Sequence, residues 1–196
     1  MEISDMKKLL VLACAAATIS LAVGSASAES IKGKVGVTGK IGFQVPSDGE
    51  IGPFKNDTDT GFIGGGGFIY GIDNHIAAEL DVTHSEIGSQ FGNFGVTNIS
   101  LGAQYRFVTD HPKLVPFVGA GLDILINDAD QGRSVDTTVG VHVNGGIDYF
   151  LMKQLALTTE VKVVIAPDAD IKGSTGKVGE FDPTSLSTTF GVRYFF

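Results

Sequence analysis

The tripeptide His84-Ser85-Glu86 holds the residue types of a hydrolytic site, a hydroxyl nucleophile between a base and an acid. A nucleophile and its base must lie within hydrogen-bond reach. Neighbouring residues of a strand point to opposite faces, so His84 is turned away from Ser85, and no enzyme is expected. His75, His111 and His142 fall on separate turns and faces and form no metal set. Three acidic pairs, Asp57-x-Asp59, Asp128-x-Asp130 and Asp168-x-Asp170, offer the hard oxygens that a divalent cation prefers. None extends to an EF-hand spacing, which favours solvated acidic loops. No catalytic, cofactor-binding or metal residue is therefore assigned. What remains is a set of charged and polar residues whose role depends on the elements that carry them.

Those elements follow from a period of two that runs along most of the chain. Ile31, Val35, Val37, Ile41 and Phe43 share one face of a first strand, opposite Lys32, Lys34, Thr38 and Lys40. Phe62, Phe68 and Tyr70 lead a second, with Gly64 to Gly67 inside it, and Ile76, Ala78, Leu80 and Val82 a third, opposite His75, Glu79, Asp81 and Thr83. In the fourth, Thr97, Ile99, Leu101, Ala103, Tyr105 and Phe107 oppose Asn98, Ser100, Gln104 and Arg106. The fifth, 115 to 125, has Val118, Ala120, Leu122 and Ile124 on one side and mixed residues on the other, so its phase is the weakest. Val139, Val141, Val143, Ile147 and Tyr149 then oppose Thr138, His142, Asn144 and Asp148, and Leu155, Leu157, Val161, Val163 and Ile165 oppose Thr158, Glu160 and Lys162. An eighth strand ends the chain, with Leu186, Thr188, Phe190, Val192, Tyr194 and Phe196 against Ser187, Thr189, Gly191 and Arg193.

Long connections (44 to 59, 88 to 95, 127 to 134 and 166 to 183) alternate with short turns at Asp73-Asn74, at Asp110-His111-Pro112-Lys113 and at Met152-Lys153-Gln154. This is the rhythm of an outer-membrane barrel, with long external loops and short periplasmic turns. The expected fold is all-β: a transmembrane, eight-stranded, antiparallel up-and-down barrel with one face toward lipid and the other toward a polar lumen. Closure pairs the first strand with the last and removes the edges that a bilayer forbids. Tyr70, Tyr105, Phe107, Tyr149, Tyr194 and Phe196 gather on the short-turn side as an aromatic girdle.

The N-terminus reads as an export signal. Lys7 and Lys8 precede an apolar stretch from Leu9 to Val23, and Ala26-Ser27-Ala28 forms an A-x-A cleavage site, so 1–28 is a signal peptide and 29–196 the barrel domain. Translation from Met1 or from Met6 would serve equally. Cys14, the only cysteine, follows Val11-Leu12-Ala13, but a lipoprotein cut there would strand a long apolar run on the mature side. The mature chain then has no thiol chemistry. Its roughly 168 residues hold no apolar run near the roughly 20 residues of a spanning helix, yet supply eight strands of roughly 10 residues with turns. The net charge is −8, with no tryptophan and no basic cluster, which argues against nucleic acid as a partner.

The ending Thr189-x-Gly191-x-x-Tyr194-x-Phe196 resembles the C-terminal signature by which outer-membrane barrels are recognised for insertion, and so implies the barrel-assembly machinery as a partner. The chain as a whole resembles the OmpW family of small outer-membrane barrels. The matching stretches are Phe68-x-Tyr70 with Asp73-Asn74 and Glu79-Leu80; Gln104-Tyr105 followed by Pro116-Phe117-Val118-Gly119-Ala120-Gly121; Gly146-Ile147-Asp148-Tyr149; and Asp182-Pro183 before Gly191-x-Arg193-Tyr194-x-Phe196. The resemblance implies a narrow, partly hydrophobic lumen that lets small hydrophobic molecules cross the lipopolysaccharide layer of a Gram-negative envelope. It also departs from the family: Leu155 stands where a tryptophan is common, and Val96-Thr97-Asn98 where Leu-Pro-Pro is often found, so a gate built from a large aromatic is not carried over.

Strand phase places Glu79, Gln104, Arg106, Glu160, Lys162 and Arg193 inward in the lower and middle barrel, and Ile63 and Val164 inward nearer the outer rim. An eight-stranded barrel is only wide enough for its side chains to fill. Arg106 and Arg193 with Glu79 and Glu160 are expected to form a polar plug, so that a solute entering from outside leaves sideways into lipid. Two functions follow: a passive channel or carrier for small hydrophobic solutes, or a non-conducting structural or surface-interaction barrel like OmpA and OmpX. An apolar path in the upper lumen favours the first, and a lumen filled by paired charges the second.

Overall fold

The structure, a computed structural model, describes residues 30–47, 49–51, 54–56, 60–89, 92–107, 109, 111, 113–129, 134–173 and 176–196. The proposed signal peptide, with Ala26 and Ala28, lies outside them. In chain order the strands are β1 (Val35–Pro46), β2 (Gly49–Ile51), β3 (Phe54–Asn56), β4 (Gly61–Gly71), β5 (Ile76–Ser89), β6 (Gly92–Arg106), β7 (Leu114–Ala129), β8 (Ser134–Val135), β9 (Thr138–Phe150), β10 (Leu155–Ile165), β11 (Ala169–Gly173), β12 (Gly176–Phe181) and β13 (Ser185–Phe195).

Eight of these close a barrel. β1, β4, β5, β6, β7, β9, β10 and β13 pair antiparallel in that order, and β13 returns to β1 from Gly36↔Phe195 to Pro46↔Ser185. Every ladder is thereby continuous, which meets the demand of a hydrocarbon solvent that backbone groups be bonded internally. Apart from Ile31, the aliphatic and aromatic residues of the expected outer faces are exposed or half-buried, with Leu101, Val139 and Phe68 among the most open. The same alternation buries the polar partners, as at Thr38 and Lys40 on β1 or His142 and Asn144 on β9. It also resolves the phase of β7: Val118, Leu122 and Ile124 face out, and Val115, Phe117, Asp123, Leu125 and Asn127 face in.

The alternation fails at Thr188, which is buried at the seam although it shares the expected outer face of the last strand, and at Ile31. Ile31 is buried rather than lipid-facing, because the first strand starts only at Val35 and Gly33, at φ 73°, turns the chain just before it. Ile31 then packs under the barrel with Ile69, Ala77, Val115, Phe150, Ala156 and Phe195, an apolar floor at the periplasmic end. Phe150 and Phe195 stack in that floor at 5.8 Å. Outside it, Tyr105 meets Phe107 and Tyr194 meets Phe196 edge to face, each at 5.1 Å, in the girdle. His75 belongs to the turn rather than to an inward face and stacks on Tyr105. In that turn the His75 and Ile76 backbone amides both donate to Asp73 Oδ1 at 2.7 Å, which holds its carboxyl below the usual range.

The external connections are more ordered than their composition suggests. In the stretch 88 to 95 all the described residues are strand, since the β5–β6 ladder runs on to Ser89↔Gly92. The stretch 166 to 183 is largely the hairpin β11–β12, which pairs with β8 on one side and β2 on the other. With β3 beside β2, strands from three external connections form one small sheet. Val135, Ala169 and Ile171 of that sheet pack on Val96, Leu125 and Val164, which face inward at the outer end of the barrel. The loops thus cover the outer mouth with a cap.

Candidate functional site

Between the apolar floor and the apolar cap, the lumen is crossed by a network of ion pairs. Arg106, at the end of β6, donates to Asp148 Oδ2 of β9 at 2.6 Å, and Arg193 of β13 donates to the same oxygen at 3.0 Å. Arg193 also donates to Glu79 Oε1 of β5 at 2.6 Å and, through Nε, to Thr38 Oγ1 at 2.9 Å. Gln104 bridges the two halves, donating to Glu79 and accepting from Arg106. The ring of Phe117 lies between the two guanidiniums, 5.9 Å from Arg106 and 5.7 Å from Arg193, where cations favour the aromatic face. Gly146 leaves room for that ring, since a Cβ there would stand 2.5 Å from Phe117 Cζ.

A second layer sits above. Lys40 of β1 donates to Asp81 Oδ2 at 2.5 Å and to Glu160 Oε1 at 3.4 Å, and Asn144 donates to the other Glu160 oxygen at 2.9 Å. Lys162 donates to Ser100 Oγ at 3.1 Å, and Ser100 in turn to Asp123 Oδ1 at 2.5 Å. Asn98 supplies a further donor to Asp123 at 2.8 Å, and His142 Nδ1 lies 2.6 Å from Asp123 Oδ2.

Each lumen residue chosen from strand phase, Ile63, Glu79, Gln104, Arg106, Glu160, Lys162, Val164 and Arg193, is buried. Their pairing differs from the expected quartet in one respect. Glu160 joins Lys40 and Asn144, while Asp148 takes the place beside both arginines. The reason is height: β10 pairs Thr158 with Asp148, so Glu160 sits one inward position further out than the arginine layer. Lys40, Asp81, Asp123, His142 and Asp148 complete the network, although their inward alternation alone did not mark them as a site. Asp123 was hidden by the weak phase of its strand.

Ile63, Val96, Leu125 and Val164 form an aliphatic wall above the second layer, with hydroxyls and amides of Gln44, Thr83, Ser85, Ser185, Ser187 and Thr189 between them. The cavity they enclose is about 20 Å³, room for a water molecule and little more. His84 faces outward, 2.9 Å from Thr97 Oγ1, whereas Ser85 is buried and donates to the Val96 carbonyl. No group of acidic, histidine or cysteine side chains among the described residues is arranged to hold a metal. Of the acidic pairs, Asp57, Asp59 and Asp130 lie outside the described residues, as does the side chain of Asp128; Asp168 is exposed and Asp170 partly buried. On the terminal signature, Tyr194 and Phe196 point outward, and Thr189 is buried beside the seam.

Residues 13–194 match the family described as outer membrane protein beta-barrel domain. No curated protein matches the chain significantly in sequence. Among solved structures, the chain is similar to the outer membrane protein OprG from Pseudomonas aeruginosa, with a TM-score of 0.67 and 16% identity over 87% of this chain and 99% of that one. It is similar to Neisserial surface protein A at 0.61 and 21% identity, over 84% and 100% of the two chains. For the E. coli outer membrane protein W the TM-score is 0.51 at 19% identity, over 84% and 98%. The fold agrees with that of these small outer-membrane barrels, and the chain belongs to the outer membrane protein beta-barrel domain family.

Proposed function

We propose that this outer-membrane barrel is a passive carrier that admits small, largely apolar solutes from the external face and releases them sideways into lipid, without a water-filled pore. The observation that carries it is the division of the lumen. Charged layers block the straight route to the periplasm, while the half above them has an aliphatic wall covered by a loop-built cap. Removing that cap breaks no barrel ladder, so the mouth can open while the barrel stays closed. Lipid and lipopolysaccharide are the surroundings that this reading requires, and we assign it no catalytic step. Proteoliposomes with the intact barrel should take up small apolar compounds, and Ile63→Lys, which sets a charge in the aliphatic wall, should reduce uptake severalfold. Equal uptake by both, or sustained ion conductance in planar bilayers, would overturn the proposal.

One observation favours a second reading, a non-conducting barrel that serves the envelope or binds at the surface: the upper cavity holds no solute-sized space in the capped state. Absence of uptake by the intact barrel and by a cap variant alike would decide for it.

A further inference from the structure

The charges buried inside the barrel do not balance. Among the described residues four basic side chains are buried there, Lys40, Arg106, Lys162 and Arg193, against five carboxylates, Glu79, Asp81, Asp123, Asp148 and Glu160. Arg106 is paired with Asp148, Arg193 with Glu79, and Lys40 with Asp81. Lys162 shares the inward face of β10 with Glu160, two positions away. Asp123 is the carboxylate left without a fixed cation, and the ionisable group that touches it is the His142 imidazole, Nδ1 to Oδ2 at 2.6 Å. A buried charge without a counter-ion is costly, so the deficit falls on this pair.

A deficit of donors lies beside the same ring. Asp81 Oδ1 and Asn144 Oδ1 are buried with no hydrogen-bond donor, and both residues line a small cavity with His142, Glu79 and Lys162. A neutral imidazole that gives its single proton to Asp123 presents a bare nitrogen to that cavity, whereas an imidazolium presents a second N–H. Gly102 and Gly121 leave space for the ring, since Cβ atoms there would stand 3.1 Å from Nε2 and 2.7 Å from Cε1.

We propose that His142 is a proton-binding site of the barrel: as an imidazolium it supplies the missing cation, completes the ion pairs of the lumen, and ties the tightness of the plug to pH. The proposal holds whether or not a solute passes. The groups that face the ring are Asp123 from β7, Glu160 and Lys162 from β10, Glu79 and Asp81 from β5, and Lys40 from β1. Asp148, on the strand of His142 itself, is engaged by both arginines. The surroundings thus hold more negative than positive charge, which is the setting an imidazolium requires. Loss of that proton removes the cation, so the barrel is expected to lose stability as pH rises. One linked proton limits the change to about tenfold in the folding equilibrium per pH unit.

The test uses the whole barrel refolded in lipid. His75, His84 and His111 are exposed, so replacing all three by Gln leaves His142 as the sole imidazole in an unaltered lumen. Nitrogen NMR of that protein at neutral pH should show both ring nitrogens protonated. Denaturant unfolding should show stability falling as pH rises from 5 to 9, and His142→Gln should flatten that profile. A neutral ring throughout this range would overturn the proposal, even if His142→Gln fails to fold. An unchanged pH profile in a folded His142→Gln barrel would do the same.

Discussion

Asp148 is the residue on which the lower plug turns, because two guanidiniums share one of its oxygens. Asp148→Asn keeps the shape and removes the charge, leaving Arg106 without a carboxylate partner and Arg193 with Glu79 alone. Breaking a buried pair on one side is expected to cost about 3–5 kcal/mol, read from denaturant unfolding in micelles. Gln104→Ala, which removes an uncharged bridge, should cost less. At this scale the sequence was legible in direction and not in distance. Alternation assigns an inward face to Arg106, Arg193, Glu79 and Glu160, because period two is a local property of the backbone. Which carboxylate each arginine reaches depends on the relative heights of strands far apart in sequence, as with Arg193 and Glu79, 114 residues apart.

The barrel strands carried a strong local signal, and the cap strands almost none. β2, β3 and β8 are two or three residues long, too short for a period to register, and they exist through pairing, β2 with β12, β3 with β2 and β8 with β11. Gly33 shows the opposite limit, where one left-handed residue resets the phase of its neighbour Ile31. Ile171, buried in the cap among Val96, Leu125 and Val164, is the residue to disturb. Ile171→Asp sets a charge in that apolar cluster and should release the cap while leaving the barrel ladders intact. Limited proteolysis should then cut the β11–β12 hairpin faster, with the barrel core left uncut, and uptake of small apolar compounds should rise severalfold.

The whole molecule depends on closure between β1 and β13, and the two faces of β1 make that testable. A Cβ at Gly42 would meet the Thr188 carbonyl oxygen at 2.0 Å, across the seam, whereas Gly39 has nothing within 4 Å. Gly42→Ala should therefore destabilise the closed barrel by about 1–3 kcal/mol, in the range of overpacked sites, and Gly39→Ala should leave it nearly unchanged. The band shift between heated and unheated samples in gel electrophoresis reads the closed fraction directly.

The seam does not stop at the rim. Beyond Pro46↔Ser185, the Ser47 amide donates to the Thr184 carbonyl, and Ile51 pairs with Gly179. The strand that leads into the cap and the strand that leads out of it are therefore the two ends of the barrel's own closing contact. These partners stand near opposite ends of the domain in sequence, so their pairing closes a very long loop and carries a high chain-entropy cost. The lid is thus tied to the point where the barrel closes, and a change that loosens the closing contact should loosen the lid with it.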